Sequence, residues 1–270
     1  MDTPDAKSEA LPRALDFIRQ VELPSESILE GGLESFEESA TTGFLDPGQD
    51  QAVAVGSGVT SFLKGVDPAR RRAIADSLLL AQLVANQSVP DHERIDDWYK
   101  AYFDVLATLG WVIENRGFSV HEASGRGVEA HEAILSVAAV LLGPAPAALA
   151  VVKATLNALK GLGSDNGWIT LFNRDQQHAK AGRFQIALAQ EDTGAGCTLA
   201  MMAFALEATS KLTQVLFVKV RLAEATLRKL STTLTIDPDM LAQLHPEIQT
   251  RVGAFQKAYL RTLPPLALPA

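Results

Sequence analysis

From Ala133 to Val152, between Glu132 and Lys153, the chain carries no charged side chain. One membrane-crossing helix needs about 20 continuous apolar residues. Here Gly143-Pro144-Ala145-Pro146 divides the run, because proline lacks an N–H and its ring clashes with the preceding turn. Each arm is then too short to cross, and the pattern predicts two helices, over 129–142 and 147–160, folded as a hairpin. A helix apolar on most faces has two destinations: the centre of a protein core or the surface layer of a bilayer. In the second case Leu135, Val140, Leu141, Leu142 and Leu149 are the candidate membrane contacts.

Periodicity supplies the other elements. Leu11, Leu15 and Ile18 recur at helical spacing, with Pro12 restricting the first turn. The acidic stretch 22–50 is broken by Pro24, Gly31, Gly32, Gly43 and Pro47 and reads as surface chain with at most one short helix. Asp67-Pro68 and Asp237-Pro238 each place a capping carboxylate before a proline at the first helical position. The first opens a helix carrying Ile74, Leu78 and Ala81. The second opens a helix reaching towards Leu260, with an interruption expected at His245-Pro246. Between them, Ile95, Trp98, Tyr99, Tyr102, Phe103, Leu106 and Leu109 mark a helix after Pro90 that Gly110 ends.

Beyond residue 180 the period shortens. Phe184, Ile186 and Leu188 alternate, a Glu-Asp-Thr-Gly turn follows, and Cys197 to Leu206 resumes an apolar run. Val215 to Leu222 and Leu230 to Ile236 extend the pattern, with Leu230, Thr232, Leu234 and Ile236 on one face. The expected fold is one α+β domain over 1–270: a helix-rich body, an apolar helical hairpin and a small antiparallel β-meander of about four strands.

Composition excludes several classes of function. A formal net charge of -8 works against attraction to nucleic acid. The single cysteine, Cys197, rules out an intramolecular disulfide framework. The first residues lack the basic and apolar regions of a secretory signal, so the expectation is a cytoplasmic protein in the producing cell, with release and membrane association following on a lipid-binding reading.

Candidate chemistry is sparse. Cys197 follows Thr193-Gly194-Ala195-Gly196, where Gly194 and Gly196 allow a tight turn that leaves the thiol open to a ligand or acyl donor. The opposing reading is a buried small hydrophobe, since no basic neighbour in sequence lowers its pKa. His92-Glu93, His121-Glu122 and His131-Glu132 match no metal-ligand spacing. Gly56-Ser57-Gly58 lacks the nucleophile elbow, and Gly194-Ala195-Gly196 lacks the third small residue of a dinucleotide turn. No catalytic set and no metal site are expected; a Cys197–His178 pair is the residual enzymatic alternative. Arg70-Arg71-Arg72 reads as the solvated face of a helix.

Trp98-Tyr99, Gly110-Trp111, the apolar hairpin and the lone Cys197 together resemble the layout of the bacterial virulence factor Evf family. That resemblance spans most of the chain. It implies a non-enzymatic effector carrying a covalent palmitate on Cys197 and associating with membranes. Two readings follow. One is a membrane-associating, virulence or toxin-like protein whose partners are a lipid membrane and a fatty acyl group. The other is a soluble lipid- or protein-partner-binding protein with the hairpin enclosed as core.

Overall fold

The computed structural model describes residues 6–25, 46–91, 93–120, 128–161, 181–192, 196–208, 219–220, 225–263 and 265–268. In chain order these form α1 (Ala6–Gln20), β1 (Gln51–Val55), β2 (Gly58–Phe62), α2 (Pro68–Ser88), α3 (Ile95–Thr108), β3 (Val112–Ile113), β4 (Ser119–Val120) and β5 (Val128–Glu129). They continue with α4 (Ala130–Leu142), α5 (Pro146–Gly161), β6 (Ala181–Asp192), β7 (Gly196–Ala208), β8 (Lys219–Val220), β9 (Ala225–Ile236), α6 (Pro238–Tyr259) and β10 (Leu260–Thr262).

Both Asp-Pro pairs act as expected. The Asp67 carboxylate accepts from the N–H groups of Ala69 and Arg70, and Asp237 accepts from those of Asp239 and Met240. Each cap satisfies donors that the first helical turn leaves open. Gly110, at φ +93°, ends the turn after α3 in a conformation that costs glycine little. The expected interruption at His245-Pro246 is absent, because α6 runs unbroken through Pro246.

An eight-stranded sheet runs in the order β10-β1-β2-β6-β7-β9-β3, with β4 also pairing β9. Its pairs are antiparallel except β2 with β6, which run parallel from Gly58 opposite Gln185 to Phe62 opposite Ala189. The fold is α+β, but its sheet is wider than the expected meander. Strands β6, β7 and β9 do form consecutive antiparallel neighbours. Of the anticipated strand over 215–222, Lys219 and Val220 pair with Glu129 and Val128 in a separate two-stranded ribbon. Its other residues lie outside the described ones. The β1–β2 hairpin had no expected counterpart, and Gly56-Ser57 forms its turn.

Alternation along the strands supplies two cores. Ala187, Ala189, Leu199, Met201, Leu230 and Leu234 face α1, α2, α3 and α6. Phe184, Ile186, Leu188, Met202, Phe204 and Leu206 face α4 and α5. The sheet thus lies between two helical layers, and among the described residues the apolar hairpin supplies the helices of the second.

Arg71 departs most sharply from expectation. It is fully buried, not solvated, and its guanidinium donates to the carbonyls of Val66, Gln49 and Leu63 and to Oε1 of Gln51. Arg70 and Arg72 remain half-exposed.

Candidate functional site

The hairpin has two chemically different sides. Ala133, Ile134, Val137 and Ala138 of α4 and Ala148, Val151, Val152, Leu156 and Leu159 of α5 are buried against the sheet. Their 3- and 4-residue spacing makes one inward stripe per helix. A buried hydroxyl pair strengthens this seat: Ser61 of β2 and Thr155 of α5 lie 2.8 Å apart, oxygen to oxygen.

The outward stripes change character along the hairpin. Near the connecting turn they present Ala139 and Val140 on α4 and Ala147 and Ala150 on α5. Away from the turn they present Glu132 and Ser136 on α4 and Lys153, Asn157 and Lys160 on α5, all exposed. Val140 is 82% exposed, the most open large apolar side chain among the described residues. Of the other candidate contacts, Leu135, Leu141, Leu142 and Leu149 are half-buried and pack on the edge of the core. The same cluster takes in Leu263 and Leu266 of the C-terminal segment. Core formation thus claims the inner half of the hairpin and leaves an uncharged tip in solvent. Among the described residues no helix is long and apolar enough to cross a membrane.

Cys197 is the second residue of β7, and its side chain is buried on the opposite face of the sheet, among the residues packed under α1, α2, α3 and α6. Gly196 makes the bend with φ +82°, and a Cβ there would fall 2.6 Å from Cγ of Pro238. Desolvation pushes the thiol up to about 12; Glu191 adds to the rise and Arg70 opposes it. Arg70 pairs with Glu191 itself, so its charge is largely answered there. A basic group does reach the cysteine through the fold, yet burial outweighs it. Gly194 lies outside the described residues, as do His92, His121 and His178. Among the described residues no three potential ligands are grouped to hold a metal.

Two polar arrangements had no signal in the sequence. The buried carboxylate of Asp76 in α2 receives Nε2 of Gln256 at 2.8 Å and meets Nε2 of His245 at 2.9 Å, joining α2 to α6 at two points. A groove of about 350 Å³ lies between α3 and β9, lined by Tyr99, Phe103, Phe118, Asp96, Lys100, Asp104, Arg116 and Arg228. Its charges answer one another: Arg228 binds Asp96 and Glu207, while Arg116 and Lys100 bind Asp104. Both features need long-range packing, which periodicity does not encode.

No protein-family model matches the sequence, and no curated protein matches it. Among solved structures, a delta-endotoxin is similar at 12% identity with a TM-score of 0.34, covering 75% of this chain and 88% of its own. The Evf virulence factor is similar at 13% identity with a TM-score of 0.29, covering 76% of this chain and 84% of its own.

Proposed function

We propose that this is a membrane-associating protein of the toxin or virulence type, which docks on a lipid surface through the tip of the α4–α5 hairpin. The single supporting observation is the gradient along the outward stripes, apolar and uncharged at the turn, polar and charged away from it. A surface that enters an interface tip first needs apolar groups only to a depth of about 5–10 Å. The sheet-facing half of the hairpin keeps its seat, so docking requires no unfolding. The toxin-like setting comes from the resemblance in sequence layout alone.

Acylation of Cys197 is the less favoured part of this reading. A palmitoyl thioester needs an accessible thiolate, and this thiol is buried with its pKa raised. Intact mass separates the cases: an added acyl mass supports the lipidated form, and the bare mass leaves docking to the hairpin alone. Docking itself is tested by flotation with phosphatidylcholine vesicles, comparing the parent with Val140→Asp. The parent floats and the variant does not; a parent that stays in the dense fraction refutes the proposal.

A further inference from the structure

Resting on the docking reading above, we propose that Lys153 is the group at which insertion stops, its ammonium meeting the phosphate of a phospholipid headgroup. At 1.5 Å of rise per residue, Lys153 stands about 10 Å along α5 from Pro146 at the turn. Ser136 stands about 9 Å along α4 from Leu142, and Glu132 about 15 Å. The apolar reach of the tip therefore equals the depth at which an interfacial helix lies between acyl chains and headgroups. At its limit the first cation of the hairpin appears, and the first anion is a further helical turn away in water. Lys153 is exposed, and no carboxylate pairs with it among the described residues. Its methylene stem can lie along the apolar zone while the ammonium stays at the polar boundary.

Lys160 offers the control. It lies on the same outward stripe and is equally exposed, but stands two helical turns farther from the tip. A general attraction between protein cations and the vesicle would weaken alike on loss of either lysine, whereas a contact fixed by depth depends on Lys153 alone. Phosphatidylcholine vesicles at 150 mM salt, which carry phosphate but no net charge, are the probe.

The expected result is parent binding, a loss of about tenfold or more in partition coefficient for Lys153→Gln, consistent with one charge-assisted hydrogen bond, and no change for Lys160→Gln. Equal behaviour of the two variants overturns the role of Lys153 while leaving tip docking intact. Absence of parent binding overturns both. A fluorophore on Val140→Cys gives a second readout. Acyl chains brominated near the headgroup are expected to quench it and chains brominated near the terminal methyl to leave it bright; the reverse order overturns the shallow stop.

Discussion

Nη1 of Arg71 lies 2.7 Å from Oε1 of Gln51, and this contact closes the start of β1 over the start of α2. The same guanidinium holds the carbonyls of Gln49, Leu63 and Val66 at 2.9–3.0 Å and stacks above Phe62 at 5.7 Å. Three loop carbonyls thereby find donors that no strand supplies. Arg71→Met is expected to cost about 2 kcal/mol, because the buried Val66 carbonyl loses its donor and the Gln49 and Leu63 carbonyls each lose a charged one, Leu63 keeping the Val66 N–H. Arg71→Lys recovers only part of this, since an ammonium cannot span acceptors that a planar fork reaches together. Urea denaturation measures both; a loss below about 0.5 kcal/mol in each would show that the clamp is idle.

The buried thiol gives the protein an alkaline weakness. Cys197 is raised from 9.0 to about 12, chiefly by desolvation. Below pH 9 the folded and unfolded chains both keep the proton, and the contribution of the thiol is fully present. Above it the unfolded chain ionises first, so stability falls as pH climbs towards 12, by up to about 4 kcal/mol from this group. Buried Tyr99 and Tyr102 are raised too and act in the same direction at higher pH. Denaturation at pH 8, 9.5 and 10.5 should show a shallower decline for Cys197→Ala than for the parent. Parallel declines would mean that the thiol does not titrate with unfolding. Thiol-reagent modification at pH 8 should run at least about 100-fold slower in the native protein than in urea.

The features that the sequence discloses are those whose cause is local. Asp67-Pro68 and Asp237-Pro238 cap their helices with groups two or three residues away, and the prolines at 144 and 146 break the apolar run wherever it packs. Leu230, Thr232, Leu234 and Ile236 share a face because strand geometry alone puts them there. The parallel pairing of β2 with β6 joins residues more than a hundred apart, and nothing in Gly58–Phe62 announces its partner. Arg71 is hidden for the same reason: its burial exists only once the segments around Gln49 and Leu63 close over it. The exposure of Val140 is likewise legible only in three dimensions. Leu141 and Leu142 look more apolar in sequence, yet the core covers half of each.

That difference makes Val140 the informative position for docking. At 82% exposure, Val140→Asp removes no packing, and its effect on stability should stay within about 0.5 kcal/mol. Taking a valine side chain out of water contributes roughly 1.5 kcal/mol or more, so losing it and adding a carboxylate should lower vesicle partitioning at least about tenfold. Ala139→Asp, its exposed neighbour, should act in the same direction. Unchanged flotation of both, with unfolding curves matching the parent, would leave the tip without a role at lipid.

Whether the hairpin stays on the sheet while the tip docks can be decided at Ser61 and Thr155. Their hydroxyl oxygens are 2.8 Å apart and buried, a separation from which two sulfurs can close to about 2.05 Å with small backbone adjustment. The double variant Ser61→Cys with Thr155→Cys, oxidised, ties α5 to β2 covalently; native Cys197 is on the far face of the sheet and too enclosed to compete. If the inward stripe of Val151, Val152, Leu156 and Leu159 keeps its seat, the oxidised and reduced forms should float with vesicles equally well. Opening the hairpin would instead expose both that stripe and the Phe184–Phe204 stack beneath the layer, and lipid would then have to cover surfaces on both sides of the break. Flotation that appears only after reduction would establish this larger movement and displace tip docking as the mode of attachment.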